Sequence, residues 1–312
     1  MNDYRRGLEI VLKALPSPAA AAQCHIGSEE WYCHAKTPDG RLIPAIGGPP
    51  LDRMPLGSEA RVLAQNALSR RLHVMAPSRD WARASVVSAT VNWAQTSTAY
   101  LNADISVVDD LLTQEAFAEL REWCLQSTVW QDGRDGYVGA YRQGFAPPVL
   151  LRLAEELHDV IPNVLANHTL KMFWAHHYDS ERNEHGIAPH VDEAAVNVNL
   201  WLTPADANLE PERGGLKVWR KPPPSLMQSA EVYNGYNAQQ GVALQSELEH
   251  EPAMVIPHAP NRAVIFHSDL WHASDGARFA PGYRNRRINL TLLYGQRMEW
   301  SSSSAQHVET AD

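Results

Sequence analysis

Between Leu170 and Gly295 the chain repeats one pattern, short apolar runs set between Gly, Pro, Asn and Asp residues. The runs are LKMFWAHHYD, AVNVNLWLT, GGLKVW, AMVIP, RAVIFH and RINLTLLYG. Period-two alternation bounded by turn residues is the pattern of half-buried β-strands. Upstream the period changes. In ISVVDDLLTQEAFAELREWCLQS, from Ile105, a short strand leads into a helix whose Phe117, Leu120 and Trp123 share one face, with Thr113 as N-cap. A second helix is predicted over Pro148–Val160, opened by proline, the favoured residue of a first helical turn. Several strands after two helices predict a mainly-β fold with flanking helices, an antiparallel sandwich or barrel braced on one face.

The first hundred residues read differently. They hold an amphipathic run near Tyr4–Leu15, a Gly/Pro stretch GGPPLDRMPLG from Gly47, and helical patterns at Ser58–Leu72 and Trp81–Leu101. The expected organisation is a helical N-terminal extension over 1–103, a β-rich domain over 104–300 and a polar tail over 301–312. The extension would serve as packing surface, as a cap on the domain, or as a homodimer contact.

With 44% hydrophobic and 20% charged residues, the composition is that of a folded, water-soluble chain. Its net charge of −9 argues against nucleic acid as a partner, because affinity for a phosphate backbone rests on Lys and Arg. No run approaches the roughly 18 apolar residues of a membrane helix, and charge and proline interrupt the start before a signal-like run develops. A cytoplasmic protein with no membrane partner is expected. Cys24, Cys33 and Cys124 show no paired or metal-binding spacing and read as plain thiols of a reducing compartment.

Candidate chemistry enters through histidine. Among 14 histidines, His-x-Asp occurs at His177/Asp179, His190/Asp192 and His267/Asp269. Residues two apart on a strand point to one side, so each pair offers an imidazole and a carboxylate to one cation. Position decides between them. His267/Asp269 has no later strand histidine to complete a site, and His177/Asp179 runs into the charged loop SERNEHG, where it would meet water. His190 and Asp192 precede a strand with Asn197, Asn199 and Trp201 on one face, read as lining a cavity that binds a small polar substrate; His272 follows about 80 residues later. Two neutral imidazoles and a carboxylate leave three positions of an octahedral metal open, the ligand set of non-haem iron(II) oxygenases. Zinc accepts the same donors. In RRINLTLLYG, alternation sets Arg287, Asn289 and Thr291 on one face, and the planar Arg287 fork suits a carboxylate.

With these residues in place, the chain over about 105–300 resembles the Fe(II)/2-oxoglutarate dioxygenase superfamily, most nearly its prolyl-hydroxylase-like branch. The resemblance implies a double-stranded β-helix (jelly roll), with iron(II) on His190, Asp192 and His272. It also implies 2-oxoglutarate anchored by Arg287 with Tyr178, and O2 as co-reactant. Asn289 stands where the family commonly has Ser or Thr, and its amide supplies a donor in their place. The implied reaction is C–H hydroxylation with release of succinate and CO2. A filled Asp192 position disfavours halogenation, while desaturation or ring formation stays open. A small polar metabolite such as an amino acid derivative is the favoured substrate, with a protein side chain as the alternative. Two further readings use the same ligand set, a 2-oxoglutarate-independent oxidase and a binding module without turnover.

Overall fold

The structure is a computed structural model. It describes residues 75–133, 136–140, 144–178, 186–220, 248 and 250–297, with the backbone of four short strands before them. The chain divides into two compact units. The smaller comprises Met1–Ala76, Gln126–Trp130 and Arg142–Gly144, and the larger comprises Pro77–Leu125, Gln131–Tyr141 and Phe145–Asp312.

The smaller unit holds β1 (Cys24–Ile26), β2 (Glu30–Lys36), β3 (Leu42–Pro44) and β4 (Leu72–His73), with β2 pairing antiparallel to each of the other three. These strands were not anticipated within the extension expected over 1–103. The run EWYCHAK carries Trp and Tyr, which favour a pleated strand, but its apolar residues do not alternate cleanly enough to announce one. The helical patterns at Tyr4–Leu15 and in Ser58–Leu72 before β4 lie outside the described residues, as do 301–312. The third pattern, Trp81–Leu101, resolves into a turn of 3-10 helix at Trp81–Arg83 and helix α1 (Trp93–Ala103), capped by the Asn92 side chain. Both belong to the larger unit, which begins at Pro77 rather than near 104.

The larger unit continues with β5 (Ile105–Val108), α2 (Gln114–Gln126), β6 (Gln131–Gly133), β7 (Gly136–Ala140), α3 (Pro148–Val160), α4 (Pro162–Leu165), β8 (Leu170–Tyr178) and β9 (Val196–Trp201). After these come β10 (Leu216–Trp219), β11 (Ala253–Ile256), β12 (Ala263–His267), β13 (Trp271–Ser274) and β14 (Arg287–Tyr294). The strands form two antiparallel sheets, one of seven in the order β5-β12-β9-β14-β8-β7-β6 and one of three in the order β11-β10-β13. The predicted strands and both predicted helices are present; Thr113 caps α2 through Ala116 N. The β6–β7 hairpin was not anticipated.

Register fixes which side chains share a face. Arg287 lies opposite Tyr178, Asn289 opposite His176 and Trp201, Thr291 opposite Asn199, and Asn197 opposite Phe266. Directly opposed residues point the same way. Trp201, Ile105, Val264 and Phe266 of the large sheet then meet Leu216, Val218 and Ile256 of the small sheet, so the two sheets share a core. Helices cover the opposite face. Trp123 of α2 packs edge-on to Phe145, which meets Phe173 of β8, and Tyr294 donates to the Ala154 carbonyl of α3. With both sides covered, every residue of β9 and β14 is buried. Two carboxylates tie the segment before α1 to these helices: Glu119 accepts from Ser78 and Trp81, and Glu156 from the Val86 and Val87 amides.

His177 points to this helix-covered face and is 1% exposed, packed 5.0 Å from the Tyr283 ring, not at a wet strand edge as its sequence context indicates. Burial, helped by Arg286, pushes its imidazole down to about 3. A histidine near 6.5 when unfolded and near 3 when folded takes up its proton first in the unfolded chain, so its contribution to stability is intact above 6.5 and is lost as pH falls. Between pH 7.5 and pH 5 this single group should remove about 2 kcal/mol of unfolding free energy. Denaturant unfolding at both pH values should show the wild type losing that much more than His177→Gln; equal losses would contradict the burial assignment.

Candidate metal centre

The centre begins with backbone pairing. His190 and His272 form an antiparallel bridge, each amide donating to the other's carbonyl at 2.9 Å. Because opposed residues in such a pair present their side chains to one side, the imidazoles face each other, with ring centroids 4.2 Å apart. Asp192, two residues on, returns to the same side, its amide held by the Ser268 carbonyl at 3.2 Å. The Asp192 oxygens lie 3.8 Å from His190 Nε2 and 3.4 Å from His272 Nε2. Neighbouring donors on one cation with bonds of about 2.1 Å sit roughly 3 to 3.5 Å apart, so the three are spaced for a single ion.

Tautomer and charge are set by what surrounds the three. His190 Nδ1 contacts the Ala188 carbonyl at 2.8 Å and His272 Nδ1 the Leu270 carbonyl at 3.0 Å. A carbonyl requires Nδ1 to carry the proton, which leaves each Nε2 lone pair for a metal. Burial, with His272 adding to it, pushes His190 down to about 4. Burial alone would raise Asp192, but the His272 hydrogen bond, the two imidazoles and the Asn197 amide outweigh it and hold the carboxyl well below the usual carboxylate range. Asn197 donates to Asp192 Oδ2 while its own carbonyl accepts from the Ser268 hydroxyl. Phe266 packs edge-on against the His272 ring at 4.8 Å. His272 is 3% exposed and His190 is 33%, so the centre opens to solvent on the His190 side.

A second group of polar side chains lies on the inner face of the seven-stranded sheet, whereas His272 belongs to the three-stranded one. Arg287, 5% exposed, stands with its guanidinium 4.9 Å over the Tyr178 ring and donates from Nη2 to the Gly215 carbonyl at 2.8 Å. Burial lowers its pKa, opposed by Tyr178 and Asp275. His176 lies between the two ends: burial takes it down to about 4, with Arg287 and His190 adding to the shift and Asp192 opposing it. Arg287 Nε, Asn289 Oδ1, His176 Nδ1, Trp201 Nε1 and both nitrogens of His258 are buried without a hydrogen-bond partner among the described residues. Buried polar atoms are ordinarily paired, and unpaired ones are costly. Several unpaired atoms facing one interior, with a guanidinium at one end and three metal donors at the other, fit a polar, anionic guest.

The metal donors His190, Asp192 and His272 thus come together as the sequence indicates, and they are a group whose ligand atoms all lie within 4.8 Å. The competing pair is engaged elsewhere, since Asp269 pairs with Arg297 at 2.6 Å and its amide meets His267 Nδ1. Arg287, Tyr178 and Asn289 share the inner face. The three residues read as substrate-binding are placed differently. Asn197 is bound to Asp192 and Ser268, Asn199 accepts from Thr291 at 2.8 Å, and Trp201 is in the core beside Asn289, so none faces the open side of the centre. A polar strand face read from alternation reports burial in a polar interior and cannot tell a ligand wall from an internal hydrogen-bond network. His176 was missed although it alternates with Tyr178 along β8. His258 and Gly215 sit in or beside turns and carry no periodic signal.

His190→Ala, Asp192→Ala and His272→Ala should each abolish tight metal binding, since a three-donor site has no spare ligand, whereas His267→Ala should retain it. Asn197→Ala leaves all three donors but frees Asp192 to swing, and should weaken metal affinity by roughly 10- to 100-fold. Metal content and titration with a divalent ion check both; a metal-replete His272→Ala would remove the assignment.

No protein-family model matches the chain, and no curated protein does. Solved structures do. The chain is similar to the non-haem α-ketoglutarate-dependent epimerase SnoN from nogalamycin biosynthesis, at 14% identity over 70% of this chain and 91% of that one, with a TM-score of 0.45. It is similar to a prolyl-4-hydroxylase of Pseudomonas putida, at 17% identity over 69% and 99%, with a TM-score of 0.41. It is also similar to an oxidoreductase of the 2OG-Fe(II) oxygenase family from Burkholderia pseudomallei, at 13% identity over 69% and 97%, with a TM-score of 0.43. These structural neighbours are Fe(II)/2-oxoglutarate-dependent oxygenases.

Proposed function

We propose that the larger unit is an Fe(II)- and 2-oxoglutarate-dependent oxygenase, a double-stranded β-helix that hydroxylates an unactivated C–H bond of a small polar metabolite such as an amino acid derivative. One observation carries this reading: the three metal donors, gathered at the edge of the three-stranded sheet, and the buried Arg287 guanidinium on the seven-stranded sheet border one interior, with His176 under the electrostatic influence of both. Two imidazoles and a carboxylate suit iron(II) and leave half of its coordination sphere for other ligands. Iron(II) with 2-oxoglutarate and O2 supplies the oxidising power for oxygen insertion, with succinate and CO2 as by-products.

The protein's own residues supply placement. His190, Asp192 and His272 would hold the metal, and Asn197, steadied by Ser268, fixes the orientation of the Asp192 carboxylate. Arg287 receives the remote carboxylate of the cosubstrate, with the Tyr178 ring beneath the guanidinium fixing its plane. The apolar wall of Phe266, Val218 and Leu216 keeps water from the metal's inner side. The more exposed His190 marks the side from which the primary substrate arrives. Among the described residues no helix is long and apolar enough to cross a membrane. A cytoplasmic site is proposed because the buried free thiol of Cys124 and a divalent iron both suit a reducing compartment.

The test is succinate formation against a panel of amino acids, their derivatives and short peptides, with iron(II) and 2-oxoglutarate varied. Turnover should require both. Removing a buried charged partner costs on the order of 3–5 kcal/mol, so Arg287→Ala should weaken apparent 2-oxoglutarate affinity by roughly 100-fold or more, with metal retained. Arg287→Lys should recover part of that loss. Arg286→Ala, at the turn before β14, should change it by less than about threefold. Oxygen uptake without 2-oxoglutarate, or equal affinity in the wild type and Arg287→Ala, would overturn the reading, and selective turnover of peptides would move the substrate class to protein side chains.

A further inference from the structure

His258 lies in the turn between β11 and β12 and takes no part in the metal centre. It is 6% exposed, yet neither ring nitrogen meets a partner among the described residues. Its ring is held from two sides by aromatic edges, Phe279 at 5.2 Å and Trp201 at 6.2 Å. Trp201 is directly opposite Asn289, two residues along β14 from Arg287. The backbone closes the same circle. Arg287 donates to the Gly215 carbonyl, and Gly215 packs so tightly on the next turn that an added Cβ would stand 1.9 Å from the Ile256 carbonyl and 2.8 Å from His258 N. Burial first, then Arg287 and Arg262, push the His258 imidazole down to about 3. At neutral pH it is uncharged, with one N–H to donate and one lone pair to accept.

An imidazole packed between two aromatic rings would be stable as an apolar residue of similar size, and leaving both nitrogens unpaired is unfavourable. Its neighbours repeat the pattern: Trp201 Nε1, Asn289 Oδ1 and Arg287 Nε are likewise buried and without a partner among the described residues. We propose that His258 is a second anchor for the remote carboxylate of the cosubstrate, donating an N–H beside the Arg287 guanidinium so that the inner end of the chamber selects a dicarboxylate. The inference rests on the proposed use of 2-oxoglutarate. The Arg287 fork, of which Nε is without a partner among the described residues, offers two N–H groups to a carboxylate that has about four acceptor positions, and a neutral donor beside it adds to the contact without a second buried charge.

The experiment compares two ligands on protein loaded with manganese(II) under anaerobic conditions, with binding measured by calorimetry. One is 2-oxoglutarate. The other is 2-oxopentanoate, which has the same chain and the same metal-binding end but no remote carboxylate. In the wild type 2-oxoglutarate should bind far more tightly. His258→Leu should weaken 2-oxoglutarate by roughly tenfold or more, the effect of losing one hydrogen bond to a charged group, and leave 2-oxopentanoate and manganese affinity unchanged. His258→Gln, which keeps an N–H donor, should recover much of the loss. If both ligands weaken equally in His258→Leu, the residue shapes the pocket without touching the carboxylate, and the inference falls. If His258→Leu and His258→Gln bind 2-oxoglutarate as the wild type does, it also falls while the proposed function stands. A wild type that binds no 2-oxoglutarate removes both.

Discussion

The candidate site depends on one short piece of backbone pairing, the two reciprocal hydrogen bonds between His190 and His272. Only two residues are paired there, but the pairing joins a segment that follows a long connection to the free edge of β13, a strand already held on its other side by β10. Without it, two histidines about 80 residues apart in sequence have no reason to face each other. With it, the strand period brings Asp192 to the same side, and the remaining contacts only refine the donors' aim. The large sheet supplies the opposite wall, and the core shared by Trp201, Phe266, Leu216 and Val218 fixes the separation of the two.

Within those walls the polar interior is left incompletely satisfied. Buried donors and acceptors without partners each cost on the order of 1–3 kcal/mol, and among the described residues several belong to side chains of this interior, Arg287, Asn289 and His176 among them. They persist because strands β8, β9 and β14, buried on both sides or braced by a helix, cannot relax to satisfy them. A guest that pairs with these atoms meets groups already ordered and already stripped of water, so little rotamer freedom is lost on binding. By mass action the same guest stabilises the folded chain.

Much of this was legible in sequence because strands announce themselves by period two. The six runs after Leu170 became strands, and simple elimination among three His-x-Asp pairs selected His190 and Asp192. The limits are equally physical. His272 seemed too close to His267 for a separate strand, yet the chain turns through Ser268–Leu270 and passes from the seven-stranded sheet to the three-stranded one within five residues, leaving His267 and His272 in different sheets. Alternation showed that Asn197 and Asn199 face inward but not what they touch, and their partners Ser268 and Thr291 are 71 and 92 residues away. In the smaller unit, β1, β3 and β4 are too short, and β2 too irregular in polarity, to reveal themselves.

Gly215 has a consequence of a different kind. Any side chain there would run into the Ile256 carbonyl, so the main chain just before β10 lies against the end of β11 and the turn after it with nothing between them. Since Arg287 is hung from the Gly215 carbonyl, the depth of the chamber is gauged by backbone against backbone. Side-chain substitutions along the walls can alter how tightly a guest is gripped, but they leave that gauge untouched. Tolerance for a longer or shorter cosubstrate would therefore evolve with difficulty by point mutation, and more readily by inserting or deleting residues in the turn that carries Pro257 and His258.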